Sequence, residues 1–259
     1  MQTVTVDRPA EWTSLEVHCF ADAHIGDPAC DGKLLQERIK HCEETENCVA
    51  LLNGDICNNA VKSGKSDVYA ESVRPMEQLK QAVHLFGKLA EQGKIICLTD
   101  GNHERRTYRN DGIDMSALIA QQLDVPYSPG AMLIFLRFGR DGGRLRHHRK
   151  VLYTIFMNHG SGGGKMVGGK ANRLVGMGEV VDADIFYHSH THEPLIVKRG
   201  FFRTFPANNS VAYTERLFIN TASYLDYGGY AEQMEYAPSA KSTPVVYLDG
   251  TRRKMEAML

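Results

Sequence analysis

Five short segments of this chain carry side chains that bind metal ions: DAH (Asp22 to His24), NGD (Asn53 to Asp55), GNHE (Gly101 to Glu104), NHG (Asn158 to Gly160) and HSHTH (His188 to His192). Each follows an apolar run of the kind that forms a buried strand, so each stands on a strand-end loop, where α/β folds tend to build their sites. One Asp-x-His or His-x-His alone is more often a polar loop than a ligand pair. Together the five would bring carboxylates, an amide oxygen and several imidazoles to one edge of the sheets. That donor set suits Mn2+, Fe or Zn2+ far better than Ca2+, and it calls on no thiolate. Two ions need at least one bridging carboxylate, which Asp55 on its own strand end can supply. Ions about 3.5 to 4 Å apart clamp a phosphate and generate hydroxide near neutral pH.

The elements that must position these loops alternate in the first half. LEVHCF (15–20) reads as a strand, KLLQERIKHCEE (33–44) as an amphipathic helix and CVALLN (48–53) as a strand. A longer helix interrupted by Pro75 follows over 67–91, then the strand KIICLT (94–99). That order implies parallel strands with helices packed outside. A short helix is expected over 114–123. Beyond it, AMLIFLRF (131–138) and KVLYTIFMN (150–158) flank a polar, glycine-rich turn as a hairpin. Further strands at 184–188, 194–199, 215–220 and 244–249 make the second half mixed or antiparallel. No repeat, low-complexity tract or linker interrupts the chain, so one domain over 1–259 is expected.

In this order the motifs resemble those of the calcineurin-like metallophosphoesterases, D-x-H, G-D, G-N-H-[DE], a lone His and G-H-x-H, over roughly Val17 to Ser223. The resemblance implies an α/β fold: a two-sheet sandwich of mixed strands flanked by helices in α-β-β-α layers. It also implies a phosphoric ester hydrolase with two divalent metal ions, Mn2+ first, with Fe, Zn2+ or Ni2+ as alternatives. Carried over by position, one metal site would be made by Asp22, His24, Asp55 and His192, and the second by Asp55 as bridge with Asn102, His159 and His190. His103 would bind no metal; it would stabilise the charge of the transition state and donate a proton to the leaving oxygen. The attacking group would be a metal-bridging hydroxide.

The chain departs from the pattern in places. Ser189 stands at the family's glycine, and His188 opens a second register, 188/190 in place of 190/192; the following Glu193-Pro194 favours 190/192. NTAS (Asn220 to Ser223) replaces N-P-G-S. ICNN follows Gly54-Asp55 where protein Ser/Thr phosphatases of the superfamily carry V-D-R-G, which argues against a phosphoprotein phosphatase.

Other segments bear on the substrate. HGSGGGKMVGGKANR (159–173) contains G-x-x-x-x-G-K, but Ala171 stands where a P-loop needs Ser or Thr. A flap in which Lys165, Lys170 or Arg173 holds phosphates competes there with a solvated loop. Of Arg105 and Arg106, one would reach the substrate, Arg105 being the first candidate, and the other would pair with a carboxylate. Arg137, Arg140, Arg144, Arg146, Arg149 and Lys150 surround a hairpin turn as a solvated face or a phosphate-backbone contact. Tyr224, Tyr227 and Tyr230 could stack on a base, though packing is the plainer role.

These features favour a phosphodiester of nucleotide or nucleic-acid type. A small-molecule phosphomonoesterase is the alternative, and a non-catalytic binding module ranks behind both.

Composition sets the outer limits. The 259 residues are 42% hydrophobic and 24% charged with net charge −1, so no global pull toward nucleic acid or membrane exists. The N-terminus lacks leader features and no stretch nears the roughly 18 apolar residues of a spanning helix, so a cytoplasmic protein without a membrane partner is expected, its oligomeric state open. The six cysteines never come as C-x-x-C and read as reduced, mostly buried thiols.

Overall fold

A computed structural model describes residues 1–9, 11–64, 66–141, 144–145 and 151–259. The apolar runs of the first half form a parallel set: Ser14–Phe20, Cys48–Asn53 and Ile95–Thr99 lie side by side, with Tyr127–Ser128 at one edge. Cys48–Asn53 and Ile95–Thr99 are buried at every position, as strands covered on both faces must be. Val245–Asp249 and Met255–Met258 extend the other edge antiparallel.

The second sheet runs in the order Gln2–Arg8, Met132–Phe138, Val151–Asn158, Ile185–His188, Ser210–Asn220 and Leu195–Phe205. It is mixed: Met132–Phe138 and Val151–Asn158 form the expected antiparallel hairpin, whereas Ile185–His188 is parallel to both its neighbours. Met132–Phe138 alternates, so Met132, Ile134, Leu136 and Phe138 face Val17, Cys19, Val49 and Leu51 of the first sheet. The helices Gly32–Glu44, Pro75–Glu91 and Met115–Leu123 cover that sheet's outer face through Leu35, Ile39, Leu79, Phe86 and Ile119. On the far side the helix Val167–Gly176 lays Leu174 on Phe156, Phe186 and Phe218. Burying each such side chain contributes about 1.5 to 3 kcal/mol, so apolar contact holds the four layers together. This is the α/β sandwich that the resemblance implied.

Several expectations are corrected. The long helix begins at Pro75, its first residue, and not at Asp67, because proline lacks the N–H that an interior position needs but a first turn does not. Gln2–Arg8 is a strand, parallel to Met132–Phe138. Val245–Asp249 joins the first sheet, beside Ser14–Phe20. Leu195–Phe205 and Ser210–Asn220 run well beyond 199 and before 215, their outer halves pairing with each other as an exposed ribbon.

Half of the glycine-rich flap is the helix Val167–Gly176. Of the basic hairpin, Arg137 is tied to Asp7 (2.6 and 2.8 Å) and Arg140–Asp141 pairs with Arg144–Leu145. Arg146, Arg149 and Lys150 lie outside the described residues. Five cysteines are buried and all six are free thiols. Among the described residues no helix is long and apolar enough to cross a membrane.

Candidate metal centre

The motif loops are tied to one another before any side chain reaches inward. Asp22 N–H donates to the Gly54 carbonyl (3.1 Å) and His24 N–H to that of Asp55 (3.0 Å), so the D-x-H and G-D loops run together. Gly54 has φ +75°, and a Cβ there would lie 2.7 Å from Gly101 Cα; only glycines let these loops touch.

Asn53 joins the two sheets. Its amide donates to Ser189 Oγ (2.7 Å), its side-chain oxygen accepts from the Thr99 hydroxyl (2.7 Å), and its carbonyl accepts from His159 Nδ1 (2.6 Å). The serine at the family's glycine is therefore a buried cross-sheet acceptor. Glu104 accepts from the N–H groups of Asp55 (3.0 Å) and Cys57 (2.8 Å), and burial with the nearby Asp55 charge pushes its carboxyl up to about 8. Asp22 is braced by His190 N–H (3.0 Å) on Oδ2, while Tyr224 N–H takes its carbonyl (3.1 Å). Sequence reasoning passed over Asn53, Glu104 and the NTAS loop as supports. Their only signal was polarity directly after buried strands.

Of the nine non-glycine residues with positive φ among the described residues, five are Asp22 (51°), His24 (49°), Asp55 (51°), His190 (65°) and His192 (55°). Left-handed backbone at a non-glycine costs of order 1 kcal/mol or more, and such residues collect at functional sites. Here the unusual backbone turns alternate side chains of short loops into one space.

Two groups of donors result, each with its donor atoms within 4.8 Å of one another: Asp22, His24 and His192, and Asp55, His159 and His190. His192 Nε2 lies 3.2 Å from Asp22 Oδ1 and 3.3 Å from His24 Nε2. His159 Nε2 lies 3.1 Å from Asp55 Oδ2 and 3.2 Å from Asn102 Oδ1. Asp55 also groups with His24 and His103, so its carboxylate faces both sets. His188 instead donates from Nδ1 to Asn220 Oδ1 (2.7 Å) with its other edge on Gly160, while His190 and His192 carry the donors.

The residues fit divalent ions. Asp22 Oδ1 is buried without a hydrogen-bond partner, a cost that a coordinating ion removes. The 3.3 Å gap between two imidazole nitrogens matches the roughly 3.3 Å edge of a tetrahedron with Zn–N bonds of about 2.0 Å. Burial, with the neighbouring His103 for His24 and His159 for His190, holds both imidazoles below their usual range, so they are neutral and ready to ligate. Burial alone would raise Asp22, yet His192 and His159 hold it at about 2.

His159 is the exception. Burial disfavours its charge, but the Asp55 and Asp22 carboxylates outweigh that and push it up to about 10. An ion must displace this proton, so metal affinity at that group should rise about tenfold per pH unit from neutrality toward about 10. Competition titrations with a chromophoric chelator across that range test this; a flat affinity would mean His159 carries no proton in the metal-free protein.

The substrate-side residues are rearranged relative to expectation. Arg105 is turned to Asp100 (3.3 Å) and the Pro129 carbonyl (3.0 Å), and Arg106 reaches the site, donating to His103 Nε2 (2.8 Å) and Ser66 Oγ (2.9 Å). Lys170 is buried and paired with Glu193 (2.9 Å), bracing the loop after His192. Lys165 is exposed, 3.7 Å from Glu235 and over the Tyr236 ring. Tyr224 is buried in the core between sheet and helices, which removes it as a base-stacking surface.

The fold is the one the resemblance to the calcineurin-like metallophosphoesterases led one to expect. The chain is similar in outline to Vps29 from Cryptosporidium parvum (14% identity, TM-score 0.45, 95% of this chain and 96% of that one). It is also similar to a conserved uncharacterized protein of Streptococcus pneumoniae described as a predicted phosphoesterase (13%, 0.39, 95% and 89%) and to nuclease MPE from Pseudomonas putida (12%, 0.36, 93% and 86%). No family model and no curated sequence matches the chain. At such identities the likeness is one of outline, and the reading of activity rests on the site itself.

Proposed function

We propose that the protein is a metal-dependent phosphoric ester hydrolase that cleaves a phosphodiester of nucleotide or nucleic-acid type, with Asp22, His24, Asp55 and His192 holding one divalent ion and Asp55, Asn102, His159 and His190 a second. The observation that carries the reading is the buried Asp55 carboxylate, which groups with His159 and His190 on one side and with His24 of the other donor set on the other. Bound there, two ions supply Lewis-acid charge for the phosphoryl oxygens and a nucleophile at neutral pH. Mn2+ is the first candidate for oxygen and nitrogen donors without thiolate.

The protein's own groups do the rest. His103 Nδ1 donates to the Asn58 carbonyl (2.7 Å), which fixes the tautomer and turns Nε2 toward the donors. Burial, aided by the Arg106 charge and opposed by that of Asp55, holds the imidazole below its usual range. A phosphate anion beside it offsets that bias, so Nε2 takes up a proton and delivers it to the leaving oxygen. Arg106, whose guanidinium rests on Nε2, is placed to move onto a phosphoryl oxygen. One fixed guanidinium suits the single charge of a diester better than a monoester dianion.

The test compares bis-p-nitrophenyl phosphate with p-nitrophenyl phosphate, using protein stripped of metal and then given Mn2+. Mn2+-dependent diesterase activity is expected. Monoesterase activity alone would install the small-molecule phosphatase instead, and activity on neither ester would count against hydrolysis altogether.

A further inference from the structure

A second group of metal-binding side chains lies on the helix-covered face of the first sheet, nearer the starts of the two central strands whose far ends lead into the D-x-H and G-D loops. The Ser14–Phe20 strand alternates, so Val17 and Cys19 face the other sheet while His18 and Phe20 face the helix Gly32–Glu44. That helix presents Cys42 inward, and Cys48 opens the neighbouring strand directly beside Glu16. His18, Cys42 and Cys48 are 6%, 0% and 0% exposed, and one donor atom from each lies within 4.8 Å of the others. Glu16, His18 and His41 adjoin them: Glu16 Oε2 is 3.1 Å from His18 Nε2 and 2.8 Å from His41 Nε2.

We propose that Cys42, Cys48 and His18 hold a structural zinc ion, with Glu16, which adjoins His18, as the candidate for the fourth position. Zn–N and Zn–S bonds of about 2.0 to 2.3 Å place tetrahedral donors about 3.3 to 3.8 Å apart, so His18, Cys42 and Cys48, with donor atoms within 4.8 Å of one another, have a short way to close on an ion. Two thiolates and an imidazole select Zn2+ over harder ions. The thiolate is the form that ligates. His41, hydrogen-bonded to Glu16 on the solvent side, orients that carboxylate. The ion ties the C-terminal turn of the helix Gly32–Glu44 to two adjacent strands, pinning the strand–helix–strand unit that carries both Asp22 and Asp55.

Cobalt substitution tests this without reference to activity, because a thiolate–Co2+ bond gives an intense near-ultraviolet charge-transfer band that the nitrogen and oxygen donors of the catalytic loops cannot. The expected result is a sulfur-to-cobalt band that persists in Asp55→Asn and is lost in Cys48→Ser. A second measurement on the unmodified chain covers the case in which Cys48→Ser fails to fold: an organomercurial added to zinc-loaded protein should free one zinc per chain as two thiols titrate. No sulfur band and no mercurial-released zinc, or a Cys42–Cys48 disulfide in the purified protein, overturns the proposal.

Discussion

Replacing His103 by alanine is expected to leave the metal content unchanged while turnover falls about 100- to 10,000-fold, the usual range for loss of a general acid. The separation of the two effects follows from the geometry. His103 contacts Asp55 through its backbone N–H (2.8 Å to Oδ1), which alanine keeps, whereas its Nε2 is 3.9 Å from Asp55 Oδ2 and engaged by Arg106. Metal analysis beside steady-state kinetics on an activated diester checks both halves. The alkaline limb of the wild-type pH–rate profile should vanish with the imidazole, because that limb reports its deprotonation. Full activity in His103→Ala would end its role as acid, and loss of an ion would make it a ligand, as its proximity to His24 and Asp55 allows.

Asp55→Asn is expected to lose both ions and, at several kcal/mol of lost charge stabilisation, to cost at least about 1000-fold in turnover. Asparagine is the informative substitution because it keeps an oxygen to accept the His103 N–H and so preserves the loop. What it removes is the negative charge that faces both donor groups and that favours His159's proton in the metal-free state. Asp22→Asn, whose carboxylate belongs to one group, should empty one position and weaken the other less. Metal-to-protein ratios after gel filtration decide the matter. Two ions retained in Asp55→Asn would show that Asp55 does not bridge.

The site was legible where chemistry and strand ends coincide in the sequence: a run such as KIICLT can only be a buried strand, so the Asn102–His103 pair had to stand at its end. Less local features were not. The strand Gln2–Arg8 shows its Thr-Val alternation plainly, but nothing in it names its partner, Met132–Phe138, some 130 residues away. The helix Val167–Gly176 holds Gly168 and Gly169, poor helix formers, and owes its form to Leu174 packing on Phe156 and Phe186, which no local propensity records.

Arg105 and Arg106 differ only by the roughly 100° that separates successive residues on a helix, and the short helix Arg105–Asp111 decides which one looks inward. Lys170, read as a phosphate ligand from its glycine-rich surroundings, is taken up by Glu193, a partner whose nearness depends on the sheet.

The left-handed backbone at Asp22, His24, Asp55, His190 and His192 bears on stability as well as chemistry. A polypeptide released from hydrolysis would gain stability at each of these positions by drifting to glycine, or to asparagine, which tolerates the same dihedrals. That relief is cumulative, available one mutation at a time, and would dismantle the donor sets as it proceeded. A chain that keeps aspartate and histidine at all five resists a standing thermodynamic pull.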